Sequence, residues 1–334
     1  MIRAYAPGRV NLIGDHTDHQ GGLVLPMAVD RGTTVTGRRA SGHVRLRSAD
    51  EEGLVEVGLE AGLPLAPGPE WGRYVAAIVE LGRPTRGFAG NVSTTLPIGA
   101  GLSSSAALEV SVALALGFDG SSLELAQLCQ RSEHLAVGVP CGIMDQLVSA
   151  AGVADHALLV DCHDTTIDLV PIPEDIDVLV VDSGERRSLA GTAYQERLAE
   201  CARAADEVGP LRLLPAVGDV TDPVARRRAR HVVTEIVRVR AFADALLAGD
   251  AHGAGQLMVE SHASMSSDFE VSTPRLDALV RDLRAAPGIH GARLTGAGFG
   301  GSVVALAARG AALPDRAVRV RASSGASVTT EIDE

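Results

Sequence analysis

The apolar pattern of this chain changes twice along its length, and this limits the folds available to it. Short strand-like runs bounded by glycine, serine or acidic turns dominate the start of the chain, at 33–38, 44–47 and 54–59. From 191 to about 286 the pattern is mostly helical, with breaks at Pro210, Pro215, Pro223 and Pro274. Strand-like runs return at 292–295, 302–307 and 317–321. The pattern therefore predicts an α+β fold, with strand groups at both ends of a helical middle.

The length of the chain indicates more than one hydrophobic core. The chain has 334 residues, of which 46% are hydrophobic, and this is more than a single compact core usually holds. Strand-like runs at 157–161 and 166–170 follow each other in the middle of the chain. We place a domain boundary near residue 165 and predict an N-terminal domain over 1–165 and a C-terminal domain over 166–334.

The charged residues exclude one class of partner and two kinds of chemistry. A net charge of -12 repels a phosphodiester backbone, so we expect no nucleic-acid partner. The basic cluster Arg226, Arg227, Arg228 and Arg230 lies in a helical stretch and is interpreted as a solvated face. The sequence contains no lysine, so all 30 basic residues are arginine. A lysine that binds phosphate or forms a Schiff base is therefore impossible, and any phosphate must be bound by backbone amides, arginine or metal.

The sequence carries no membrane signal. The N-terminal residues lack the apolar core of a signal peptide, and no run of roughly 18 uncharged apolar residues occurs. We therefore expect a cytoplasmic protein that has no membrane partner. We also expect a monomer or a weak homodimer.

A glycine-rich turn opens a predicted helix in the first half of the chain. Residues 97–106 read PIGAGLSSSA and lie between a strand-like run at 91–96 and helical spacing over 103–116. Gly99 and Gly101 let the backbone approach a ligand, and the unpaired amides of the helix N-terminus favour an anion such as phosphate. Serine hydroxyls there can bind phosphate or magnesium. The alternative interpretation is an ordinary serine N-cap after a turn.

A second glycine-rich loop formally matches a dinucleotide-binding motif. Residues 296–301 read GAGFGG, and Asp315 lies at a tolerable distance for an acid that binds a ribose. The residues that follow, SVVAL, favour a strand rather than a helix, and too little chain remains for a nucleotide-binding domain. We therefore reject a dehydrogenase.

A dense polar segment lies close to the N-terminus. Residues 9–19 read RVNLIGDHTDH and carry Arg9, Asp15, His16, Asp18 and His19 between apolar residues. Carboxylates and imidazoles in such a cluster can bind a polyol through paired hydrogen bonds, or they can bind a metal. The string HTDH lacks the i,i+4 spacing of a helical zinc site, and no cysteine pair supports zinc. Sugar binding is the preferred interpretation.

Two further acids lie in segments where burial or the helix dipole disfavours a charged carboxylate. Asp145 falls in the apolar-flanked string CGIMDQ, where a charged partner or a function is needed to offset desolvation, and Arg9 is one possible partner. Glu133 falls at the end of a helix predicted from Leu123, where a negative charge opposes the helix dipole. The alternative for Glu133 is an exposed surface acid.

Taken in order, these segments resemble the galactokinase branch of the GHMP kinases over nearly the whole chain. GRVNLIGDHTDH is similar to the sugar signature of that family, LPIGAGLSSSA to its phosphate loop, CGIMDQ to its catalytic-aspartate segment and LTGAGFGGS to its third motif. The stretches AYQERLAEC and ESHASMSSDFEVSTPRLDALV are similar to galactokinases rather than to mevalonate or homoserine kinases.

The resemblance implies a two-domain GHMP kinase fold, with an active site in the interdomain cleft that phosphorylates a sugar at its anomeric hydroxyl with ATP and Mg²⁺. Positioning and charge neutralisation carry most of the rate in such reactions. By this resemblance Asp145 is the catalytic aspartate, Arg9 is the arginine beside it, and Ser105 and Glu133 bind magnesium. The sugar contacts that it implies are Asp15, His16, Asp18 and Tyr194. The implied ATP contacts are Gly99, Gly101, Leu102, Ser103, Ser104 and Ser105, with Trp71 beside the adenine.

Two positions depart from the family pattern. Asp15 stands where galactokinases usually carry Glu, and His19 stands where they usually carry Tyr. The resemblance implies D-galactose as the sugar and α-D-galactose 1-phosphate as the product, and these departures leave a uronic acid such as galacturonate, or a pentose such as arabinose, as the alternative. A catalytically silent sensor of galactose and ATP is a further alternative, and the presence of the full catalytic set argues against it.

Overall fold

The computed structural model describes residues 1–60, 62–65, 68–97, 101–138, 140–185 and 190–331. Within these residues the strands form three sheets, of six, four and three strands. Helices cover the two larger sheets, as expected for an α+β protein whose sheets must bury their apolar faces. The predicted fold class is confirmed.

The largest sheet joins the two ends of the chain. Its strands are β1 (Ile2–Asn11), β3 (Pro26–Ala40), β4 (His43–Ser48), β5 (Leu54–Gly58), β6 (Gly87–Thr94) and β13 (Ser327–Thr330). They lie in the order β13-β1-β3-β6-β4-β5, and all neighbours are antiparallel except β4 and β6. A layer of helices packs on this sheet: α1 (Gly72–Gly82), α2 (Ser104–Ala115), α3 (Ser122–Val137) and α4 (Met144–Ala151). The hydrophobic core between sheet and helices fixes the start of α2 and α4 above β1.

The four-stranded sheet lies in the second half of the chain. Its strands are β9 (Ile176–Asp182), β10 (Ile289–Thr295), β11 (Ser302–Ala308) and β12 (Ala317–Val320), in the antiparallel order β10-β11-β9-β12. The helices of this half are α5 (Ala190–Val208), α6 (Pro223–Leu247), α7 (Ala251–Ser267) and α8 (Pro274–Ala285). Both α7 and α8 pack against β10, and α6 packs between α5 and α7.

A small sheet and a shared core connect the two halves. The small sheet consists of β2 (Leu23–Val24), β7 (His156–Asp161) and β8 (Thr166–Pro171). Leu12 and Leu25 from the first half share one hydrophobic core with Phe242 and Leu306 from the second half. Because this core lies beneath the polar N-terminal segment, it holds that segment against α6 and the four-stranded sheet. The domain boundary near residue 165 stays a prediction.

Two of the prolines that the sequence marked as breaks in the helical middle of the chain begin new helices. Pro223 and Pro274 are the first residues of α6 and α8. The Asp222 carboxylate accepts a hydrogen bond from the Val224 amide at 2.9 Å, and the Thr273 hydroxyl accepts one from the Leu276 amide at 3.2 Å. Proline is favoured at this position because its missing N–H would be unpaired there anyway. None of the helices in the described ranges combines the length and apolar character that a membrane span needs.

The structure adds a strand at each end of the chain that the sequence pattern did not predict. Within β1, Pro7 and Gly8 resemble turn residues, and the register with β3 shifts between Pro7 and Arg9. A Cβ atom at Gly8 would lie 2.5 Å from the carbonyl oxygen of Leu102. The bend therefore brings the end of β1 close to the start of α2, and the Arg9 amide donates to the Leu102 carbonyl at 3.1 Å.

The interpretation of the four clustered arginines as one solvated face is wrong for Arg228. Its side chain is 1% exposed, whereas Arg226 and Arg230 are exposed. Nε of Arg228 donates to Glu200 at 2.7 Å, and Nη2 donates to Glu270 at 2.5 Å. In a helix, residues two apart point to nearly opposite sides, so Arg228 faces α5 while its neighbours face solvent.

Candidate active site

An arginine and an aspartate from distant parts of the chain form a bidentate pair. Arg9, near the end of β1, donates from Nε to Oδ1 of Asp145 at 2.8 Å and from Nη2 to Oδ2 at 2.7 Å. Its Nη1 donates to the Gly101 carbonyl at 2.6 Å, and the Ser103 hydroxyl donates to Oδ2 of Asp145. Both carboxylate oxygens are therefore fixed in orientation. The pairing of Asp145 with Arg9 that the sequence suggested is present.

The pair lines a cavity of about 590 Å³ to which both halves of the chain contribute. Asp145 is partly exposed to it, with 28% of its side chain accessible, while Arg9 is buried. The walls contain all six of the implied sugar contacts and magnesium ligands: Asp15, His16, Asp18, Ser105, Glu133 and Tyr194. A deep polar cavity with a fixed carboxylate suits acid–base work on a small hydroxylated ligand.

The N-terminus of α2 borders the same cavity. Gly101, Ser103, Ser104 and Ser105 line it, and Ser103 has a left-handed backbone with a φ of 55°. The first amides of a helix have no intrahelical acceptor, so they attract an anion. Leu102 lies between these residues with its side chain buried. Gly99 falls outside the described residues.

A second cavity, of about 510 Å³, continues from the first. The two share Glu70, Tyr74, Ser104 and Ser105 in their walls. Trp71 lines the second cavity, and its indole Nε1 donates to the Glu52 carbonyl at 3.1 Å. The side chains of Trp71, Val92 and Leu108 give this cavity an apolar surface that suits a flat aromatic group. The start of α2 therefore lies between a polar cavity and a more apolar one.

Glu133 is not an exposed surface acid, because α3 carries it to the wall of the cavity. Its Oε1 accepts a hydrogen bond from the Ser105 hydroxyl at 2.8 Å. Its Oε2 accepts one from Nε2 of Gln146 at 2.5 Å. Burial and the charge of Asp145 raise the pKa of Glu133. The hydroxyl and carboxylate oxygens of Ser105 and Glu133 thus converge at the start of α2.

Gln146 and Glu109 are parts of this cluster that sequence reasoning missed. Both are completely buried, and Nε2 of Gln146 also donates to Glu109 at 3.3 Å. Burial and the charge of Glu133 raise the pKa of Glu109 well above its ordinary value. The available signal was a glutamate inside the apolar run AALEVSVAL, which the helical period places toward the core.

Asp15 is held on the side of the cavity nearest the second half of the chain. Its Oδ1 accepts a hydrogen bond from the Gly296 amide at 2.9 Å. Its Oδ2 lies 2.6 Å from Nη2 of Arg293, which is completely buried. Sequence reasoning missed both partners, although an arginine inside the strand-like run of β10 was a visible signal. The second glycine-rich loop thus serves to hold Asp15.

Aromatic rings surround His16, next to Asp15. The ring centroid of His16 lies 4.5 Å from that of Phe269 and 5.9 Å from that of Tyr194. Burial, followed by the charge of Asp18, raises the pKa of Tyr194 well above its ordinary value. The Tyr194 hydroxyl therefore stays protonated and can donate a hydrogen bond. This wall combines ring faces with hydrogen-bonding groups, as sugar-binding walls require.

Asp18 lies against the backbone of Gly142 and lines a neighbouring cavity as well. A Cβ atom at Gly142 would lie 1.9 Å from Oδ2 of Asp18, so a larger residue there would displace the carboxylate. Burial and the charge of Asp145 raise the pKa of Asp18 to about 7. His19 does not line the main cavity and instead faces the neighbouring one, of about 530 Å³, together with Asp18.

Family models match most of the chain in three segments. The galactokinase galactose-binding signature matches residues 2–39, the GHMP kinases N terminal domain matches 73–153, and the GHMP kinases C terminal matches 242–323. The first model covers Arg9, Asp15, His16 and Asp18, and the second covers the α2 start, Glu133 and Asp145. The polar segment and the cavity therefore coincide with the regions that define the family.

Whole-chain relatives and solved structures agree with these models. The chain is 44% identical over 322 residues to galactokinase from Bos taurus, covering 90% of this chain and 82% of that protein, and 43% identical to the one from Homo sapiens. The structure of Lactococcus lactis galactokinase complexed with galactose matches with a TM-score of 0.89 at 30% identity, over 98% of this chain and 95% of that one. Methanococcus jannaschii mevalonate kinase, at 20% identity and a TM-score of 0.63, shares the fold. The chain therefore belongs to the galactokinase family of the GHMP kinases.

Proposed function

We propose that this protein transfers the γ-phosphoryl group of ATP to the anomeric hydroxyl of D-galactose, which yields α-D-galactose 1-phosphate and ADP. The observation that carries the proposal is the position of the Arg9–Asp145 pair. It lies between the polar wall of Asp15, His16 and Asp18 on one side and the N-terminus of α2 on the other. The galactokinases among the relatives support this assignment.

The sugar fits the 590 Å³ cavity with its hydroxyls against the polar wall. Asp15 and Asp18 offer carboxyl oxygens, and Tyr194 offers a phenolic hydroxyl. In this arrangement the anomeric hydroxyl lies within hydrogen-bond reach of Asp145. A neutral sugar fits this wall better than a uronate, since Arg293 is fully buried, is already paired with Asp15 and is not available to a carboxylate at C6.

ATP fits across the two connected cavities. Its adenine fits the more apolar cavity beside Trp71, and its phosphates extend to Ser103, Ser104 and Ser105 at the start of α2. Phosphate at this helix end agrees with the absence of lysine, because backbone amides and hydroxyls replace a lysine there.

Two oxygen ligands at the junction of the two cavities are suited to bind a magnesium ion. Oγ of Ser105 and Oε1 of Glu133 lie 2.8 Å apart and face the phosphate end of the site. Within the described ranges no group of three or more His, Cys, Asp or Glu side chains could bind a metal. Mg²⁺ commonly binds through one or two protein oxygens together with phosphate oxygens and water, so two ligands are enough. When bound, the ion neutralises charge on the phosphates.

The reaction needs one proton acceptor and several fixed charges. Asp145 accepts the proton of the anomeric hydroxyl as that oxygen bonds to the γ-phosphorus, and the bond from phosphorus to the β–γ bridging oxygen breaks to release ADP. Arg9 holds Asp145 in place and adds positive charge beside the transferred group. Ser103 fixes the same carboxylate from the phosphate side.

A coupled assay for ADP release tests the proposal. Purified protein with ATP, magnesium and a panel of galactose, galacturonate and arabinose should release ADP fastest with galactose. A preference of about tenfold or more for another sugar, about 1.4 kcal/mol in kcat/KM, would reject galactose and keep the sugar 1-kinase chemistry. Binding of galactose and ATP without turnover would instead favour the silent sensor.

The remaining expectations about partners are part of the same proposal. A small sugar and ATP fill the cavities, and the net charge of -12 supports the absence of a nucleic-acid partner. Location in the cytoplasm, no membrane partner and a monomeric or weakly dimeric state follow from the sequence signals alone. Light scattering at several protein concentrations would test the oligomeric state.

A further inference from the structure

Side chains from the second half of the chain hold the main chain around Asp15. The Gly14 amide donates to Oε1 of Glu235 at 3.1 Å, and the Thr295 hydroxyl donates to the Asn11 carbonyl at 3.0 Å. Nε2 of His231 lies 3.0 Å from the Asp15 carbonyl. Because a carbonyl can only accept, that ring nitrogen carries the proton. The N-terminal segment is therefore fixed from outside its own domain.

Arg293 contacts this segment with both terminal nitrogens of its guanidinium group. Nη1 donates to the Leu12 carbonyl at 3.1 Å, and Nη2 lies 2.6 Å from Oδ2 of Asp15. Its side chain is completely buried and is not part of the cavity wall that the described residues form. Arg293 thus reaches Asp15 from behind, while Asp15 faces the cavity.

The charges behind Asp15 balance. Arg293 also lies 3.8 Å from Glu235, and Nη1 of Arg238 pairs with Glu235 at 2.6 Å. Two guanidinium groups therefore offset two carboxylates. Burial would raise the pKa of Glu235, but its neighbours His231, Arg293 and Arg238, in that order, lower it below its ordinary value. A ligand in the cavity consequently meets the hydrogen-bonding capacity of Asp15 rather than an uncompensated charge.

We propose that Arg293 is a positioning residue that determines sugar affinity by fixing the carboxylate and the main chain of Asp15 at the same time. This inference rests on the proposed function, because it assigns a sugar to the wall that Asp15 forms. The planar fork of arginine can bind a carbonyl and a carboxylate together, whereas the single ammonium group of lysine cannot hold both in this geometry. Because Arg293 offsets the charge of Asp15, this carboxylate suits the hydroxyls of a neutral sugar.

A double-mutant cycle tests whether Arg293 acts through Asp15. The variants are Arg293→Met, Asp15→Asn and the double variant, and calorimetry measures the dissociation constants of galactose and ATP for each. We expect Arg293→Met to weaken galactose binding by about tenfold or more and to change ATP binding by less than about twofold. In the Asp15→Asn background, adding Arg293→Met should weaken galactose binding by clearly less than about tenfold, because the pairing with the Asp15 charge is already lost and only the main-chain contact with Leu12 remains.

A matched control separates positioning from general stability. Leu294 is the next residue on β10 and is completely buried in the core of the second half. Leu294→Ala should lower the melting temperature and leave galactose affinity within about twofold of wild type. Any of three results would overturn the inference. The effects of Arg293→Met and Asp15→Asn on galactose binding could simply add in the double variant, or Arg293→Met could weaken ATP binding as much as galactose binding. The third result is a loss of galactose affinity in Leu294→Ala equal to that in Arg293→Met.

A conservative variant keeps the test decisive if Arg293→Met does not fold. Arg293→Lys keeps the charge, so it should fold, and it should still weaken galactose binding by about threefold or more. Wild-type galactose affinity in Arg293→Lys would overturn the inference. Galactose binding by the wild-type protein is measured first. If the wild type binds no galactose, the proposed function fails, and this inference fails with it.

Discussion

Two arginine–aspartate pairs each place an aspartate in the cavity wall, and they differ in exposure. In the pair of Arg9 with Asp145, the side chains are 6% and 28% exposed. In the pair of Arg293 with Asp15, they are 0% and 3% exposed. The first pair connects two elements of the N-terminal half, whereas the second connects the N-terminal segment to β10 of the other half. Identical chemical groups are thus placed in very different surroundings.

The difference in exposure indicates a difference in role. A proton acceptor must reach the ligand and change its charge during turnover, so Asp145 needs an open face and a partner that keeps its orientation. A residue that only fixes the geometry of the binding site needs neither an open face nor a change of charge. Deep burial with several hydrogen bonds makes its position rigid. Breaking the open pair should therefore affect the rate, and breaking the buried pair should affect binding and stability.

The largest effect that we predict follows from changing the open pair at its carboxylate. Asp145→Asn keeps the shape and removes the charge and basicity, so kcat should fall on the order of 10²- to 10⁴-fold. ATP binding should stay unchanged, and stability should fall by about 1 kcal/mol or less, because Asp145 is partly solvated. The ADP-release assay and a thermal melt measure both.

A milder change at the same carboxylate serves as the control. Ser103→Ala removes one hydrogen bond to Asp145 and leaves Arg9 in place, so the rate should fall by about tenfold or less. If Asp145→Asn retained more than half of the wild-type turnover, or lost no more than Ser103→Ala, Asp145 would not be the proton acceptor.

The next effect concerns Glu133, a cavity carboxylate with no arginine partner among the described residues. Glu133→Gln and Ser105→Ala should each raise the magnesium concentration for half-maximal rate several-fold, because each weakens one hard oxygen ligand. Titration of magnesium in the ADP-release assay measures the shift. The same titration with manganese and ADP, followed by calorimetry, detects binding without turnover.

Glu70 provides the matched control for this titration. It lines both cavities, but no hydrogen bond or ion pair connects it to Ser105 in the described part of the chain. Glu70→Gln should therefore leave the magnesium requirement within about twofold of wild type, since Glu70 is exposed and its charge is screened by solvent and salt. An equal shift in Glu70→Gln would show a general electrostatic effect rather than a ligand at Glu133.

The sequence predicted the open pair better than the buried one, for a physical reason. Arg9 lies near the end of β1 and Asp145 in the first turn of α4, each close to a glycine, where a charged residue among apolar neighbours is conspicuous and suggests a function. Arg293 and Glu109 lie inside apolar elements, and their roles depend on which element packs against them. A single sequence shows that such a charge needs a partner, but the identity of the partner is a tertiary contact.

The same limit applies to the fold. Most of the helices and strands were predictable because their apolar spacing repeats over several turns or residues, but the short helix α4 was not predicted. The first strand was hidden by Pro7 and Gly8, and β13 is exposed along its whole length, so it has no apolar alternation. Its place is fixed by pairing with β1, and pairing between the two ends of a chain leaves no local signal.

The pH dependence of stability tests the protonation state of Asp18, which lies near both arginine–aspartate pairs. Burial and the charge of Asp145 raise its folded-state pKa to about 7, so the folded protein holds a proton that the unfolded chain releases near pH 4. The stability that this proton contributes is therefore lost as pH rises from about 4 to about 7. Asp18→Asn mimics the protonated acid, so its stability relative to wild type should improve between pH 5 and pH 8, on the order of 1 kcal/mol.

Urea unfolding at the two pH values measures this change. Asp161→Asn, in β7, is a control, because no hydrogen bond or ion pair connects Asp161 to the Arg9–Asp145 pair in the described ranges. It should show the same difference from wild type at both values. A stability difference for Asp18→Asn that stayed constant with pH would show that Asp18 is ionised throughout.

The smallest effect that we predict comes from lengthening the carboxylate of the buried pair. Asp15→Glu adds one methylene, so the carboxylate must move by roughly 1.5 Å. Arg293 cannot follow it into the cavity, because Nη1 is bound to the Leu12 carbonyl at 3.1 Å and the side chain is completely buried. The longer carboxylate therefore approaches the C6 side of the sugar or shifts its contact to a bridging water, and either arrangement retains most of a hydrogen bond. The galactose KM should change by only a few-fold, about 1 kcal/mol or less, with kcat unchanged.

The measurement is kcat/KM on galactose, galacturonate and arabinose for the wild type and the variant. Arabinose has no C6 group, so its kcat/KM should change least. If Asp15→Glu improved galactose use by tenfold or more while damaging galacturonate use, the wild-type cavity would be built for a larger C6 group, and galactose would not be the natural substrate.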